Sequence, residues 1–316
     1  MTDLTPLFPV IFQAVELARH VRHLALEHSD KGGNDPVTIA DYGIQALLLR
    51  AMNTHYPDDG IIAEEDSEHF FALVSPDQQR LIANLLGEVL GEPVHTDDIA
   101  HWLDYGQKRV CSRMWTIDPI DGTRGYVSGR RYSVAIGLLV DHQPAAGLLA
   151  CAEYPDDDGH GVLFYTHDGV AYAQPMSDTR PPRSIHVSDT DDPALLRTVV
   201  STDAIEIDLP RVQPVLAAAH IASEFDYVDG QDKYAMVAAG DVDFYLRPER
   251  PDFRPHNIWD HVPGVAIVQA AGGIVSDLDG EPLDFSQGKT LPKQGVVVSS
   301  ASAYPRVLDA VRHVRA

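Results

Sequence analysis

Between residues 132 and 173, four apolar or β-branched runs follow one another with only short turn signals between them: Tyr132–Val140, Ala146–Tyr154, Gly161–Thr166 and Val170–Ala173. Gaps this short leave no room for crossover helices, so the runs are expected to pair as an antiparallel meander. Beyond a polar, proline-bearing stretch at 175–183 (PMSDTRPPR) the pattern changes. Strand-like runs at Thr198–Thr202, Val242–Leu246, Gly273–Asp277 and Gly295–Ser299 alternate with helical ones at 211–222, 232–239, 260–271 and 304–314. Such alternation is the mark of helices layered on a sheet. The chain therefore reads as an α/β protein of two domains, 1–183 and 184–316, with the boundary in the polar stretch.

The first part of the chain is helical by the same reasoning. Ile11, Ala14, Val15, Ala18 and Val21 fall at helical spacing, and a polar loop (SDKGGNDP) follows. A second helix is expected to open near Thr38, with Ile44, Leu47, Leu48 and Ala51 on one face. Gly60 to Ala63 is a short apolar run that ends in Glu64-Glu65-Asp66, and residues 69–105 read as helix or loop.

Charge narrows the function. The chain carries 47 acidic against 24 basic residues, with 35 Asp, 12 Glu and only five Lys. This balance argues against nucleic acid and against anionic lipid as partners. No apolar run approaches the roughly 20 residues needed to span a bilayer, and no basic leader precedes an apolar segment. Cys111 and Cys151 make neither a disulfide framework nor a cysteine metal site, so a reducing cytoplasm is the expected location. His20-x-x-His23 lacks the surroundings of a zinc motif.

Four carboxylate-bearing stretches stand out: PVTIADYGIQ around Asp41, GIIAEEDS around Glu64, WTIDPIDGTRGY with Asp118 and Asp121, and WDHVPGVAIVQAAGG with Asp260. In a regular strand Asp118 and Asp121 would face opposite ways. A turn at 119–122, helped by Pro119 and Gly122, could instead gather both carboxylates and the Ile120 carbonyl at one point. Three oxygen donors in four residues suit a hard divalent cation such as Mg²⁺, with the Gly122 and Thr123 amides beside it for a phosphate oxygen. Taken singly, each stretch also has a structural reading. Thr38-x-x-Asp41 matches a capping box, Glu64 could belong to a solvated loop, and Asp260 stands where a helix N-cap belongs.

Jointly, PVTIAD (36–41), EED (64–66), DPIDGT (118–123) and WDHVPG (259–264) resemble, in order and over most of the chain, the lithium-sensitive, magnesium-dependent phosphatases that include inositol monophosphatase. The stretches DGTRGYVSGRRYSVAIGLL, GQDKYAMVAAGDVDFYLR, AGGIVSD and GEPLDFSQGKTL resemble its 3'(2'),5'-bisphosphate nucleotidase branch. The resemblance implies a five-layer αβαβα sandwich and a metal-assisted phosphomonoesterase. Glu64, Asp118, the Ile120 carbonyl, Asp121 and Asp260 would bind two or three Mg²⁺ ions. Asp41 and Thr123 would position and activate the attacking water for in-line attack, Gly122 and Thr123 would contact the phosphate, and Lys233, Arg247 and Asp260 would meet the rest of the substrate.

The implied substrate is 3'-phosphoadenosine 5'-phosphate, cleaved to AMP by a cytoplasmic monomer or homodimer of sulfur metabolism; the phosphosulfate analogue is a further candidate. Two positions depart from the branch. Gly230 stands where serine is frequent before the glutamine, and VVSTDAIEIDL lacks a frequent histidine. An inositol or sugar phosphatase therefore remains an alternative, and a non-catalytic nucleotide or metal sensor is a third reading.

Overall fold

A computed structural model describes residues 2–27, 36–156, 159–177, 180–202, 205–222, 225–250 and 255–316. The first sheet runs β1 (Gly60–Ala63), β2 (Arg113–Asp121), β3 (Ser133–Val140), β4 (Gln143–Cys151), β5 (Val162–His167), β6 (Val170–Pro175) and β7 (Arg183–Ser184), side by side in that order. Only β1 and β2 are parallel; the rest is the expected meander. Two of its hairpins close through two-residue loops, Asp141-His142 and Asp168-Gly169, whose residues all have positive φ. Short polar residues and glycine tolerate that conformation, and turns of this kind match the natural twist of paired strands.

The second sheet holds β8 (Thr198–Ser201), β9 (Phe225–Val228), β10 (Phe244–Arg247), β11 (Ile274–Ser276) and β12 (Val296–Ser299) in the order β11-β12-β10-β8-β9. The trio β10, β8 and β9 is parallel, and β12 is antiparallel to both its neighbours. The FDYV segment of β9 was not anticipated, because two of its four residues face solvent and no apolar run marks it.

Side-chain alternation sets the layers. On β3, Val134, Ile136 and Leu138 join one core with Ile11 and Ala14 of α1 (Phe8–Glu27) and Leu48 of α2 (Pro36–His55). Ala135 and Leu139, on the opposite face, join a second core with Val262 and Val265 of α9 (Val262–Ala270). That core also takes Tyr234 and Val237 of α8 (Asp232–Ala238) and Val296 and Val298 of β12. Val297 points the other way, into a third core with Val215 of α7 (Ile205–Ala219) and Val307 and Val311 of α10 (Tyr304–Arg315). The order is therefore helix pair, sheet, helix pair, sheet, helix pair: the αβαβα sandwich. Lying between two sheets, α9 is buried from Val262 to Val268 without a polar stripe. It also sits close on the first sheet, because a Cβ on Gly147 would stand 2.3 Å from the Pro263 carbonyl oxygen.

The stretch at 69–105 forms α3 (Ser67–Leu73), α4 (Pro76–Leu90) and α5 (Thr96–Leu103). Three local readings are corrected. Helix α2 opens at Pro36, so Thr38 and Asp41 lie in its body and no Thr38 capping box forms. Proline suits the first helical turn, where its missing N–H costs nothing. Helix α7 begins at Ile205 rather than 211 and carries Pro210 and Pro214 inside it. Asp260 does not cap α9; it ends a short 3₁₀ turn (Ile258–Asp260), and His261 occupies the cap position. The loop expected at 29–36 lies, up to residue 35, outside the described residues.

Candidate active site

The site begins with an irregularity in β2. Asp118 pairs with Ala135 and Asp121 with Ser133, so three steps on β2 match two on β3. The extra residue makes a bulge, which lets side chains three apart turn to the same region. The gathering is done inside the strand rather than by a turn after it. Asp118 is buried and its Oδ1 accepts from the Ile120 amide at 3.1 Å. The Ile120 carbonyl accepts from the Thr123 hydroxyl at 3.1 Å.

Gly122 then takes φ +87° and starts the short helix α6 (Thr123–Val127). A left-handed conformation strains any other L-residue. Space is the second constraint: a Cβ on Gly122 would lie 2.9 Å from the Gly230 amide nitrogen. Gly230 has φ +60°, and a Cβ there would lie 2.7 Å from the Asp121 carbonyl oxygen. Two loops far apart in sequence are thus packed backbone to backbone. The serine frequent at position 230 in the nucleotidase branch has no room in this packing.

Asp121, Gly122, Thr123, Lys233, Arg247 and Asp260 line one cleft of about 430 Å³, together with Arg124, Ser201, Gly230, Gln231, Tyr234, Tyr245 and Arg250. The carboxyl ends of the parallel strands β8, β9 and β10 open onto it, the usual binding edge of such sheets. Glu64, Asp118 and Asp41 do not line it; Glu64 and Asp118 feel the charges of Asp121 and Asp260, which do, and Asp41 acts on Asp118. Asp41 is buried on α2, which packs on α6 and so stands next to Thr123's helix.

The carboxylates act on one another. Burial raises the Glu64 pKa to about 8, with Glu65 and Asp260 adding to it. Glu64 is nevertheless exposed to solvent, which screens its charge and weakens this shift relative to those of the buried Asp118 and Asp121. Burial also pushes Asp118 well above the ordinary carboxylate range, and Glu64, Asp121, Asp260 and Asp41 reinforce the shift. Asp260 is raised to about 7 by burial and Asp121, against the opposing charges of Arg247 and Lys233. Burial raises Asp121 too, while Lys233, Gln231 and Arg247 counter it.

Among the described residues, no three His, Cys, Asp or Glu side chains are arranged closely enough to hold a metal ion as they stand. The donor chemistry nevertheless fits a hard cation. Glu64, Asp121 and Asp260 crowd negative charge around Asp118, and Asp121 Oδ2 is buried without a hydrogen-bond partner. A divalent ion would relieve both. His20 and His23 sit exposed on α1, in the outer helix layer.

The other side of the cleft is cationic. Lys233 is buried on α8, and its Nζ donates to the carbonyls of Gly230 at 2.5 Å and Val228 at 3.3 Å. Burial lowers its pKa, and Asp121 works against that. Arg247 ends β10 with its Nε buried and without a hydrogen-bond partner. Gln231 braces this wall: its Nε2 donates to the Trp259 carbonyl at 3.0 Å and its Oε1 accepts from the Gly264 amide at 3.2 Å. The Tyr234 hydroxyl meets His261 Nδ1 at 2.6 Å, a second tie between α8 and the Asp260 turn.

Ser201, Gln231 and Arg250 were not singled out from sequence. Ser201 and Arg250 sit at or just beyond strand ends that only the sheet brings together, so no local motif marks them.

Fold and cleft together define a layered αβαβα protein whose cleft has carboxylates at one end and a cationic wall at the other. The chain belongs to the inositol monophosphatase family, which it matches over residues 4–316. It is 32% identical to the probable 3'(2'),5'-bisphosphate nucleotidase 4 of Arabidopsis thaliana, over 95% of this chain and 91% of that one. It is also 32% identical to the 3'(2'),5'-bisphosphate nucleotidase of Emericella nidulans, over 90% of each chain. Among solved structures, inositol monophosphatase from Anabaena superposes with a TM-score of 0.62 at 24% identity, covering 99% of this chain and 97% of that one.

Proposed function

We propose that this chain is a Mg²⁺-dependent phosphomonoesterase that hydrolyses the 3'-phosphate of 3'-phosphoadenosine 5'-phosphate to AMP and inorganic phosphate. One observation carries the reading: a carboxylate-rich end and a cationic wall, with Arg247 Nε buried and unpartnered, meet in a single cleft. Relatives that share about a third of their residues over nearly the whole chain are named for this activity.

Glu64, Asp118, the Ile120 carbonyl, Asp121 and Asp260 would hold the two or three Mg²⁺ ions. When bound, Mg²⁺ supplies Lewis-acid chemistry, acidifying water and neutralising charge on the phosphoryl and leaving oxygens. The remaining work belongs to the chain. The Gly122 and Thr123 amides, fixed by the left-handed Gly122, donate to phosphate oxygens. The Thr123 hydroxyl, which donates to the Ile120 carbonyl, would relay a proton from the attacking water, its own proton passing to the Asp41 carboxylate on the adjoining helix. Lys233 and Arg247 hold the substrate's sugar and phosphate groups against the wall. A domain division at 1–183 and 184–316 accompanies this reading, Asp260 and the cations coming from the second part.

Phosphate release with Mg²⁺ from 3'-phosphoadenosine 5'-phosphate and from inositol 1-phosphate tests the proposal. Preference for the nucleotide by kcat/KM is expected. Preference for inositol 1-phosphate would move the chain to the inositol phosphatase reading, and turnover of neither would overturn both.

A further inference from the structure

We infer that Arg250, held by Asp208, forms a subsite for a second anionic group of the substrate, the 5'-phosphate of an adenosine 3',5'-bisphosphate. This inference deepens the nucleotidase reading and rests on it. Arg250 lies beyond the end of β10, lines the same cleft as Asp121 and Arg247, and is mostly buried. Its Nε and Nη2 donate to Asp208 Oδ1 at 3.1 Å and Oδ2 at 2.9 Å, a two-point fork that fixes the guanidinium plane. Its backbone amide donates to Gln294 Oε1 at 2.9 Å, which anchors the main chain as well. Asp208 comes from α7 and its side chain is only 2% exposed, so the fork is set in the fold and not on a mobile surface.

An arginine offers five N–H donors, and the fork uses two. The Nη1 group makes no hydrogen bond to a described residue, which leaves donors for an oxyanion at a wall of the cleft. The two arginines also occupy different places along it. Asp260 feels Arg247 and Lys233 as its opposing charges, without Arg250 among them. Tyr245 feels Asp121, Arg247, Asp208 and Arg250 together. Arg247 is the last residue of β10, whereas Arg250 lies beyond it and is held to α7 through Asp208, so the two guanidinium groups are anchored to different elements of the cleft wall. A substrate with one phosphoryl group at the acidic end would reach along the same cleft and place a second anion near Arg250. A monophosphate lacks that second anion and gains nothing there, so Arg250 is a specificity-determining residue and not part of the bond-breaking machinery.

The test compares wild type with Arg250→Gln on adenosine 3',5'-bisphosphate and adenosine 3'-monophosphate, both with Mg²⁺. Losing a charge-assisted contact is expected to cut the ratio of the two kcat/KM values roughly tenfold or more, through the KM for the bisphosphate. An unchanged ratio overturns the subsite, whether both substrates slow together or neither does. Wild type that turns over neither nucleotide overturns the nucleotidase reading itself, a different outcome from a bisphosphatase whose ratio ignores Arg250. Because Arg250→Gln leaves the buried Asp208 unpaired, the pair Asp208→Asn with Arg250→Gln is measured alongside, with thermal unfolding of each. The double variant is expected to show the same collapsed ratio, and wild-type discrimination in it would also overturn the subsite.

Discussion

The two ends of the cleft are built on opposite electrostatic plans. At and just behind the acidic end, Glu64, Asp121 and Asp260 all push the pKa of Asp118 upward, and Asp121 keeps a buried oxygen without a donor. At the cationic end most charges are answered within the protein: Lys233 by two carbonyls, Arg250 by Asp208. Buried like charges are relieved either by taking up protons or by binding an ion of opposite charge. In the proposed reading the acidic end receives cations, and the opposite wall holds its cations ready for anions. Arg247, with its unpartnered Nε, belongs to the second plan but leans toward the first.

The sharpest way to break this contrast is Asp121→Asn, which removes one charge from the acidic end and leaves the size of the side chain. Turnover is expected to fall by orders of magnitude with little change in thermal unfolding, as phosphate release and calorimetry would report. Retained activity would refute the role given to Asp121. Lithium sharpens the same point: ions that compete for hard oxygen donors are expected to inhibit phosphate release at millimolar concentration.

A smaller effect is expected from pH. In the metal-free protein, Glu64 and Asp260 keep protons up to about pH 8 and about pH 7, against ordinary values of 4.5 and 3.8. Between those limits the folded state binds more protons than the unfolded chain. These two groups therefore contribute most stability at low pH, and the contribution is lost as pH rises through the folded values. Mg²⁺ must displace the protons at low pH and meets free carboxylates at high pH. The rise in Tm on adding Mg²⁺ should thus be larger at pH 8 than at pH 5; an equal rise at both would contradict the charge assignment.

The least effect is expected where the two ends touch. Gly230→Ala places a Cβ at φ +60° and 2.7 Å from the Asp121 carbonyl oxygen. A cost of about 1–3 kcal/mol in urea unfolding follows from the strain. Wild-type stability would show that the loops are not packed as tightly as described.

Much of the site was legible because its chemistry is local. Asp118, Pro119, Ile120, Asp121, Gly122 and Thr123 are contiguous, and their side chains announce both an oxygen-rich site and a backbone break. The meander was legible for a similar reason, since apolar alternation and short polar turns act over a few residues. Asp41 and Asp260 were harder to place. Each matched a helix-start pattern, but Pro36 opens α2 and His261 takes the α9 cap, so neither helix uses its aspartate that way. The half-exposed β9 left no apolar signature, although its pairing with β8 builds one edge of the parallel trio.

What the chain's residues determined by themselves were the elements and the donors: which segments fold as strands, which as helices, and which carboxylates stand beside a glycine turn. Only the tertiary structure decided which of them meet. The bulge in β2 turns Asp118 and Asp121 to one side, the backbone contact of Gly122 with Gly230 joins two distant loops, and α7 brings Asp208 to Arg250 across 42 positions. Local propensity acts over a few residues, whereas such meetings depend on how whole layers pack. The physical reason is that burial, not sequence proximity, brings these charges together and sets how strongly they feel one another.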